Sequence, residues 1–236
     1  MISAKRCIID FDRKFDRFTS GGTTSLRLVD KLALLNEALD IYVEHRTNLA
    51  EFNDKVKNDL RALEVKEYSL KAIKNTDKYT LFERPKQLYK ILRRSPLVYK
   101  EGCGEKIVTA VSAQADDLEL MRKNYWKSSY EWEILLVDEG KEGIYAWHDG
   151  QFKIKKFIID YYEKPPEIHA PSLSKDGEYV DWNGKTQTKD KDLVLTDYSY
   201  RIIIDVAVLL AKAYVGDYPD YKLELDKILN IEKINY

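Results

Sequence analysis

Residues 116–168 read DDLELMRKNYWKSSYEWEILLVDEGKEGIYAWHDGQFKIKKFIIDYYEKPPEI, and their order decides the fold class. Asp116 and Asp117 suit the positive end of a helix and predict a short polar helix start carrying Leu118, Leu120 and Met121. An aromatic loop follows. Three strands are then expected, at 134–137, 144–147 and 152–162. DEGKEG is the turn between the first two, and Asp149-Gly150 predicts a hairpin between the second and third. The last strand changes parity: Phe152 and Ile154 share one face, whereas Phe157, Ile159 and Tyr161 fall on the other. A bulge at Lys155-Lys156 would keep one side buried. Pro165-Pro166 stops the strand.

Upstream, the strand signal extends back to about residue 65. The segment 65–73 is ambiguous between strand and other structure, and 79–82 is short and strand-like. Pro85 predicts a helical turn over 86–92, ended by Ser95-Pro96. Leu97, Val98 and Tyr99 read as a strand, GCGEK as a turn, and 107–113, rich in β-branched residues, as the next strand. Further upstream the period becomes helical. Thr23, Thr24 or Ser25 offers an N-cap oxygen, and Leu28, Leu32, Leu35, Leu39 and Tyr42 recur on one face. Thr47 or Asn48 marks a turn into a second helix carrying Leu49, Phe52, Val56, Leu60 and Leu63, so a helical hairpin is expected over 23–64. Residues 1–22 show no sustained period, end in Ser20-Gly21-Gly22, and read as an arm that orders against something else.

Downstream, 167–195 is polar and turn-rich, with Asp176-Gly177, Asn183-Gly184 and a small hairpin around Tyr179, Val180 and Trp182. A loop this long has a job or is mobile. Thr196-Asp197 caps a helix over 198–214 whose wide apolar face includes Ile203, Val206, Ala207 and Leu210, and Pro219 starts a last helix with Leu223, Leu225, Ile228 and Leu229. The expected architecture is α+β. A helical base, from the N-terminal hairpin (23–64) and the C-terminal helices and tail (196–236), carries an inserted β-rich region (65–166) of barrel or sandwich type, with 1–22 as an arm and 167–195 as an extended loop.

The composition narrows the function. The chain has 236 residues, 44% hydrophobic and 33% charged, which is long enough for a sizeable core and typical of a soluble globular protein. Its formal charge is −1, which argues against a general nucleic-acid binder. Cys7 and Cys103 are far apart and in no CxxC pair, so reduced thiols are expected. The N-terminus has no signal-peptide pattern and the longest apolar run, 202–211, contains Asp205, so a cytoplasmic site of synthesis and assembly is expected. Seventeen tyrosines and four tryptophans fit either an aromatic β core or an interface rich in amphipathic rings.

Little in the sequence carries bond-making chemistry. Asp116-Asp117 with Asp160 would be the carboxylates of a metal-dependent nuclease, but adjacent acids at a helix start cap it and do not share a face. His45, His148 and His169 lie far apart, and none has a partner at ligand spacing; His45 suits the C-terminal pole of its helix. Cys103, between Gly102 and Gly104, has only Lys100 and Lys106 nearby, more simply turn residues than activators. GCGEK lacks the phosphate-loop pattern and no GxSxG elbow occurs. The basic runs 86–94 and 153–156 read as solvated faces. No catalytic, cofactor-binding or metal residue, and no cofactor, is assigned.

Four stretches together resemble the ring-forming head-to-tail connector (adaptor or neck) proteins of tailed phages, of the crAss-like podovirus type. They are LRLVDKLALLNEALDIY (26–42), GCGEKIVTAVSAQADDLELM (102–121), YWKSSYEWEILLVDEG with GIYAWHDGQFKIKKFIIDYYEKPPEI (125–140 and 143–168), and the Thr-Asp-Tyr-Ser cap (196–199) before RIIIDVAVLLAKAYVGD (201–217). Tyr161, Lys164 and Pro165 fit the family's aromatic-x-x-Lys/Arg-Pro step, and Ile203, Ile204, Asp205, Val206 and Ala207 fit its IID(V/L)A helix, whereas 167–195 is longer than the family's usual loop. The resemblance implies a virion protein without catalysis. It would form a homo-oligomeric ring, commonly of about twelve copies, under the portal protein and beside other neck or tail rings. Double-stranded DNA would pass through it without sequence-specific binding, and no membrane would be involved. Two rival classes stay open: a metal-dependent nuclease with dispersed carboxylates, and a cytosolic interaction module recruiting partners through its aromatic β region.

Overall fold

The computed structural model describes residues 2–16, 26–50, 54–113, 128–215 and 221–230. It is a mixed α+β chain in two units: residues 1–63 with 165–236 form a helical unit, and the intervening residues 64–164 form a β unit. No helix among the described residues is long and apolar enough to cross a membrane.

The helical unit is built around helix α4, Asp197–Val215. Ile203, Val206, Ala207 and Ala211 on this helix are fully or almost fully buried, each large aliphatic chain contributing roughly 1.5–3 kcal/mol of burial. Its start is capped as expected, Ser199 N–H donating to Thr196 Oγ1 at 3.3 Å. Helix α4 packs on α2, Leu28–Leu49, and on α1, Ala4–Asp16. Among the described residues the unit also holds α3, Asp54–Leu60, which runs into a 3-10 turn at Arg61–Leu63, and α5, Tyr221–Leu229.

The expected arm over 1–22 is instead a helix for most of its length. Ala4, Cys7, Ile8, Phe11 and Phe15 are buried on one face of α1; their spacings of three and four, with charged residues between, are a helical period that the reading of 1–22 as unperiodic overlooks. Its N-terminus is held by an antiparallel bridge, Ile2 and Leu193 exchanging backbone hydrogen bonds of 3.0 Å, and by Ala4 N–H donating to Asp192 Oδ1 at 3.0 Å. The expected turn at Thr47 or Asn48 is also displaced: α2 continues to Leu49, with Thr47 buried in its last turns. The predicted caps Thr23, Thr24 and Ser25, the hairpin residue Phe52, and Pro219 lie outside the described residues.

The described residues of the β unit form two sheets. One has strand order β1-β9-β4-β5 and the other β2-β3-β8-β7-β6. In the first, β1 is Glu64–Ser69, β4 Leu88–Lys100, β5 Gly104–Ile107 and β9 Lys153–Glu163. In the second, β2 is Ala72–Asn75, β3 Tyr79–Phe82, β6 Thr109–Ser112, β7 Ile134–Gly140 and β8 Gly143–Trp147. Both sheets contribute to one core: Phe157, Ile159 and Val98 from the first meet Leu135, Val137, Ile144 and Phe82 from the second. The bulge in β9 falls where the parity change put it. Leu97 pairs with Lys156 and Val98 with Ile154, so Lys155 is the extra residue, and Phe152 joins Phe157, Ile159 and Tyr161 in the core.

Three expectations for this unit are corrected. The helical turn over 86–92 is a turn at 86–87 followed by strand: β4 starts at Leu88 and runs through Ser95 and Pro96, because Pro96 faces Phe157 in the ladder and still offers its carbonyl, which accepts from Val108 N–H at 3.0 Å. The single strand over 107–113 breaks at buried Val108, where the chain passes from β5 in one sheet to β6 in the other. Asp149-Gly150 makes no hairpin; β8 and β9 belong to different sheets, and Gly150 (φ +81) turns the chain between them.

Candidate functional site

The long segment after Pro165, in the helical unit, is pinned residue by residue. Asn36 on α2 clamps both backbone groups of Ile168, accepting its N–H at 2.7 Å and donating Nδ2 to its carbonyl at 3.1 Å. His169 and Lys191 exchange backbone hydrogen bonds of 3.1 and 2.8 Å. In extended backbone, side chains two apart lie on the same side, which brings Glu167 beside His169. A short antiparallel ribbon follows, β10 (Tyr179–Val180) with β11 (Thr186–Gln187), and its turn is organised by Asp181. The Asp181 Oδ1 atom accepts backbone N–H groups of Asn183 and Lys185 at 3.0 and 2.8 Å, while Oδ2 accepts from Gln187 Nε2 at 2.7 Å.

These loops converge on His169, which is 2% exposed. Its Nδ1 stands 2.7 Å from the Tyr179 hydroxyl and its Nε2 3.6 Å from Glu167 Oε2. One ligand-capable atom each from Glu167, His169 and Asp181 lies within 4.8 Å of the other two, the one such group among the described residues. Burial, and then the charge of Lys191, push the His169 pKa down, so the ring is neutral near pH 7. Burial beside Asp181 and Glu167 pushes the Tyr179 phenol up to about 12, keeping its proton available to the ring. The hydrogen bond from Lys185 N–H, ahead of that from Gln187, holds the Asp181 carboxyl below its usual range and thus ionised. His169 therefore does have carboxylate neighbours, contrary to the expectation. Glu167 was legible as an i, i−2 partner in extended backbone; Asp181 arrives only through the His169–Lys191 pairing and the ribbon turn.

The other expected site residues are not assembled. Asp116 and Asp117 lie outside the described residues. Asp160 is tied up structurally, accepting Arg93 Nε at 2.8 Å and Glu67 N–H at 2.7 Å where Glu67 takes a positive φ in a bulge of β1. Cys103 is exposed in the β4–β5 turn, and the flanking Lys100 and Lys106 pair with Glu131 and Glu133. Cys7 is buried in α1, where burial and then Asp192 push its thiol up to about 12. His148 accepts Gly150 N–H on Nδ1 at 3.2 Å and abuts Phe152, while His45 sits half-buried in the later turns of α2. In the basic runs, Arg94 pairs with Glu139 and Lys155 with Glu105.

A second feature, in the β unit, escaped the sequence pattern. Leu135, Leu136 and Val137 in β7 are all buried, at 0%, 0% and 1% exposure. Leu135 and Val137 face the core, so Leu136 lies on the opposite face of the five-stranded sheet. Across the ladder Leu136 pairs with Trp147, Trp147 with Tyr79, and Leu81 with Tyr145. The three rings touch: Tyr79 is 5.0 Å from Trp147 and 5.4 Å from Tyr145, centroid to centroid. The sheet is thus apolar on both faces around β7; it is mixed, with β6 parallel to β7 and the other neighbours antiparallel.

No family model matches the chain, and no curated protein matches it.

Proposed function

We propose that this protein is a structural component of a phage virion, a ring subunit of the neck between the portal and the tail, with no bond-making role. The second apolar face of the five-stranded sheet carries the proposal. On that face the half-buried rings of Tyr79, Tyr145 and Trp147 lie over the buried Leu81 and Leu136, and amphipathic rings of this kind are what protein interfaces favour. The helical unit adds side chains of the same kind, with Trp182 at the ribbon tip and Leu223 on α5 65% and 59% exposed. A subunit that closes a ring by rotation presents unlike patches to its two neighbours, and two units each bearing an apolar surface supply them. The resemblance of the four sequence stretches to connector proteins agrees with this, as does a net charge of −1 for a subunit beside a channel that DNA crosses without sticking.

Partners on this reading are further copies of the chain, the portal protein and adjoining neck or tail rings. Co-expression with the portal and sizing by mass photometry test it, together with electron microscopy of particles. Portal-bound rings and labelled density at the head–tail junction are expected. A Tyr145→Glu chain should fold but stay out of the ring. A chain that remains monomeric beside assembled portals, and is missing from purified particles, overturns the proposal.

A further inference from the structure

We propose that Glu167, His169 and Asp181 bind one divalent transition-metal ion of the zinc class, which clips the extended segment after Pro165 to the β10–β11 ribbon. Three features of the helical unit carry this, and none depends on ring assembly.

The first is spacing. The 3.6 Å between His169 Nε2 and Glu167 Oε2 is too long for a hydrogen bond. With metal bonds of about 2.0–2.2 Å, ligand atoms at the corners of a tetrahedron stand about 3.4 Å apart. All three candidate atoms lie within 4.8 Å of each other, close to that figure before any ion draws them in.

The second is the supporting shell. The Nδ1 side of His169 is anchored on the Tyr179 hydroxyl at 2.7 Å, which fixes the ring plane and leaves Nε2 as the atom presented to the carboxylates. Nε2 and Glu167 Oε2 face each other at 3.6 Å, and a cation bound by both satisfies both. Asp181 is held by three hydrogen bonds, two to Oδ1 and one to Oδ2, which leaves Oδ2 a further lone pair. Ligating carboxylates are commonly supported in this way.

The third is charge and access. Glu167 and Asp181 supply two carboxylates to balance a divalent ion, and the mixed nitrogen and oxygen donors suit Zn2+ or Mn2+ better than Ca2+. His169 is buried, but the Glu167 side chain keeps 35% of its surface exposed. An ion therefore has a route in, and water can fill the fourth position. The clip is structural: it would rigidify the ribbon that presents Val180 and Trp182.

The test titrates Zn2+ into the full chain by calorimetry, in a Cys103→Ser background that removes the exposed thiol. One Zn2+ per chain is expected. Binding should weaken at least about tenfold in Glu167→Gln and disappear in His169→Gln, and it should be unchanged in His148→Gln. Zn2+ should also slow proteolysis within the 174–189 segment. Absence of saturable binding, or binding equal in the parent and in Glu167→Gln, overturns the proposal. Glu167 is half-exposed and its variant keeps the fold, so this arm decides even if His169→Gln unfolds. Virion incorporation is not read in any arm, so failure here leaves the assembly proposal standing.

Discussion

Arg46 Nε and Asp59 Oδ2 stand 3.8 Å apart inside the helical unit, joining α2 to α3, with Arg46 only 1% exposed. The guanidinium also lies over the Tyr42 ring, 5.2 Å from its centroid, and Tyr42 in turn donates to Ser199 Oγ on α4 at 3.0 Å. Three helices are thus linked through one buried cation. Removing a carboxylate from beside a buried cation is costlier than losing a surface pair. Asp59→Ala is expected to destabilise the helical unit by about 3 kcal/mol, read as a lower urea midpoint; a loss under about 1 kcal/mol would show that the pair behaves like a surface one.

Gly143 opens β8 under a strict steric limit. A Cβ there would sit 2.2 Å from the Phe82 carbonyl oxygen, backbone that cannot move without breaking the β3–β8 ladder. Gly143→Ala should cost the β unit more than about 2 kcal/mol. Gly177→Ala, where nothing lies within 4 Å, should cost less, because it meets only the strain of a positive φ. Parallel thermal melts of the two variants check the order.

The thiols should separate cleanly. Cys103 is exposed, while Cys7 is buried with its thiol pushed up to about 12, so thiolate is scarce there at pH 8. A thiol reagent under native conditions is expected to modify one cysteine promptly, and the second only as the chain unfolds. Prompt reaction of both would mean that α1 leaves its packed position readily.

His148 predicts an acid-side loss of stability. Burial lowers its folded-state pKa, and its Nδ1 accepts the Gly150 N–H, a bond that protonation of that nitrogen breaks. The unfolded chain therefore binds the proton more readily. The contribution is present in full above the unfolded value of about 6.5 and is lost as pH falls below it toward the folded value. Urea midpoints followed from pH 7.5 to 5 should fall, and His148→Gln should flatten that fall.

Much of the α+β plan was legible because period and breakers agree locally. The 3.6-residue repeat of α4 and its Thr196 cap, the DEGKEG turn and the bulge at Lys155 all follow from a few consecutive residues. What was not legible depends on distant partners. Asp149-Gly150 has the chemistry of a hairpin, yet β8 and β9 find better neighbours in separate sheets. Pro96 reads as a breaker, yet only its missing N–H is lost to the ladder and its carbonyl remains in use. The apolar face of α1, by contrast, was present locally at 4, 7, 8, 11 and 15 and was overlooked; only its packing against α4 needed the fold. Around His169 the same division holds: Glu167 lies within the local pattern, and Asp181 comes from a turn whose placement no short window contains.

The β unit begins and ends on adjacent strands of one sheet, Glu64 at the start of β1 pairing with Tyr162 near the end of β9. Its two junctions with the rest of the polypeptide therefore leave side by side, at the mouth of a closed excursion. Such a segment is a cassette: a few residues of linker can replace it in the parent chain, and its own ends can be joined or grafted onto another host without stretching either. Changes in the cassette's outer surface can accumulate with the parent helices left untouched.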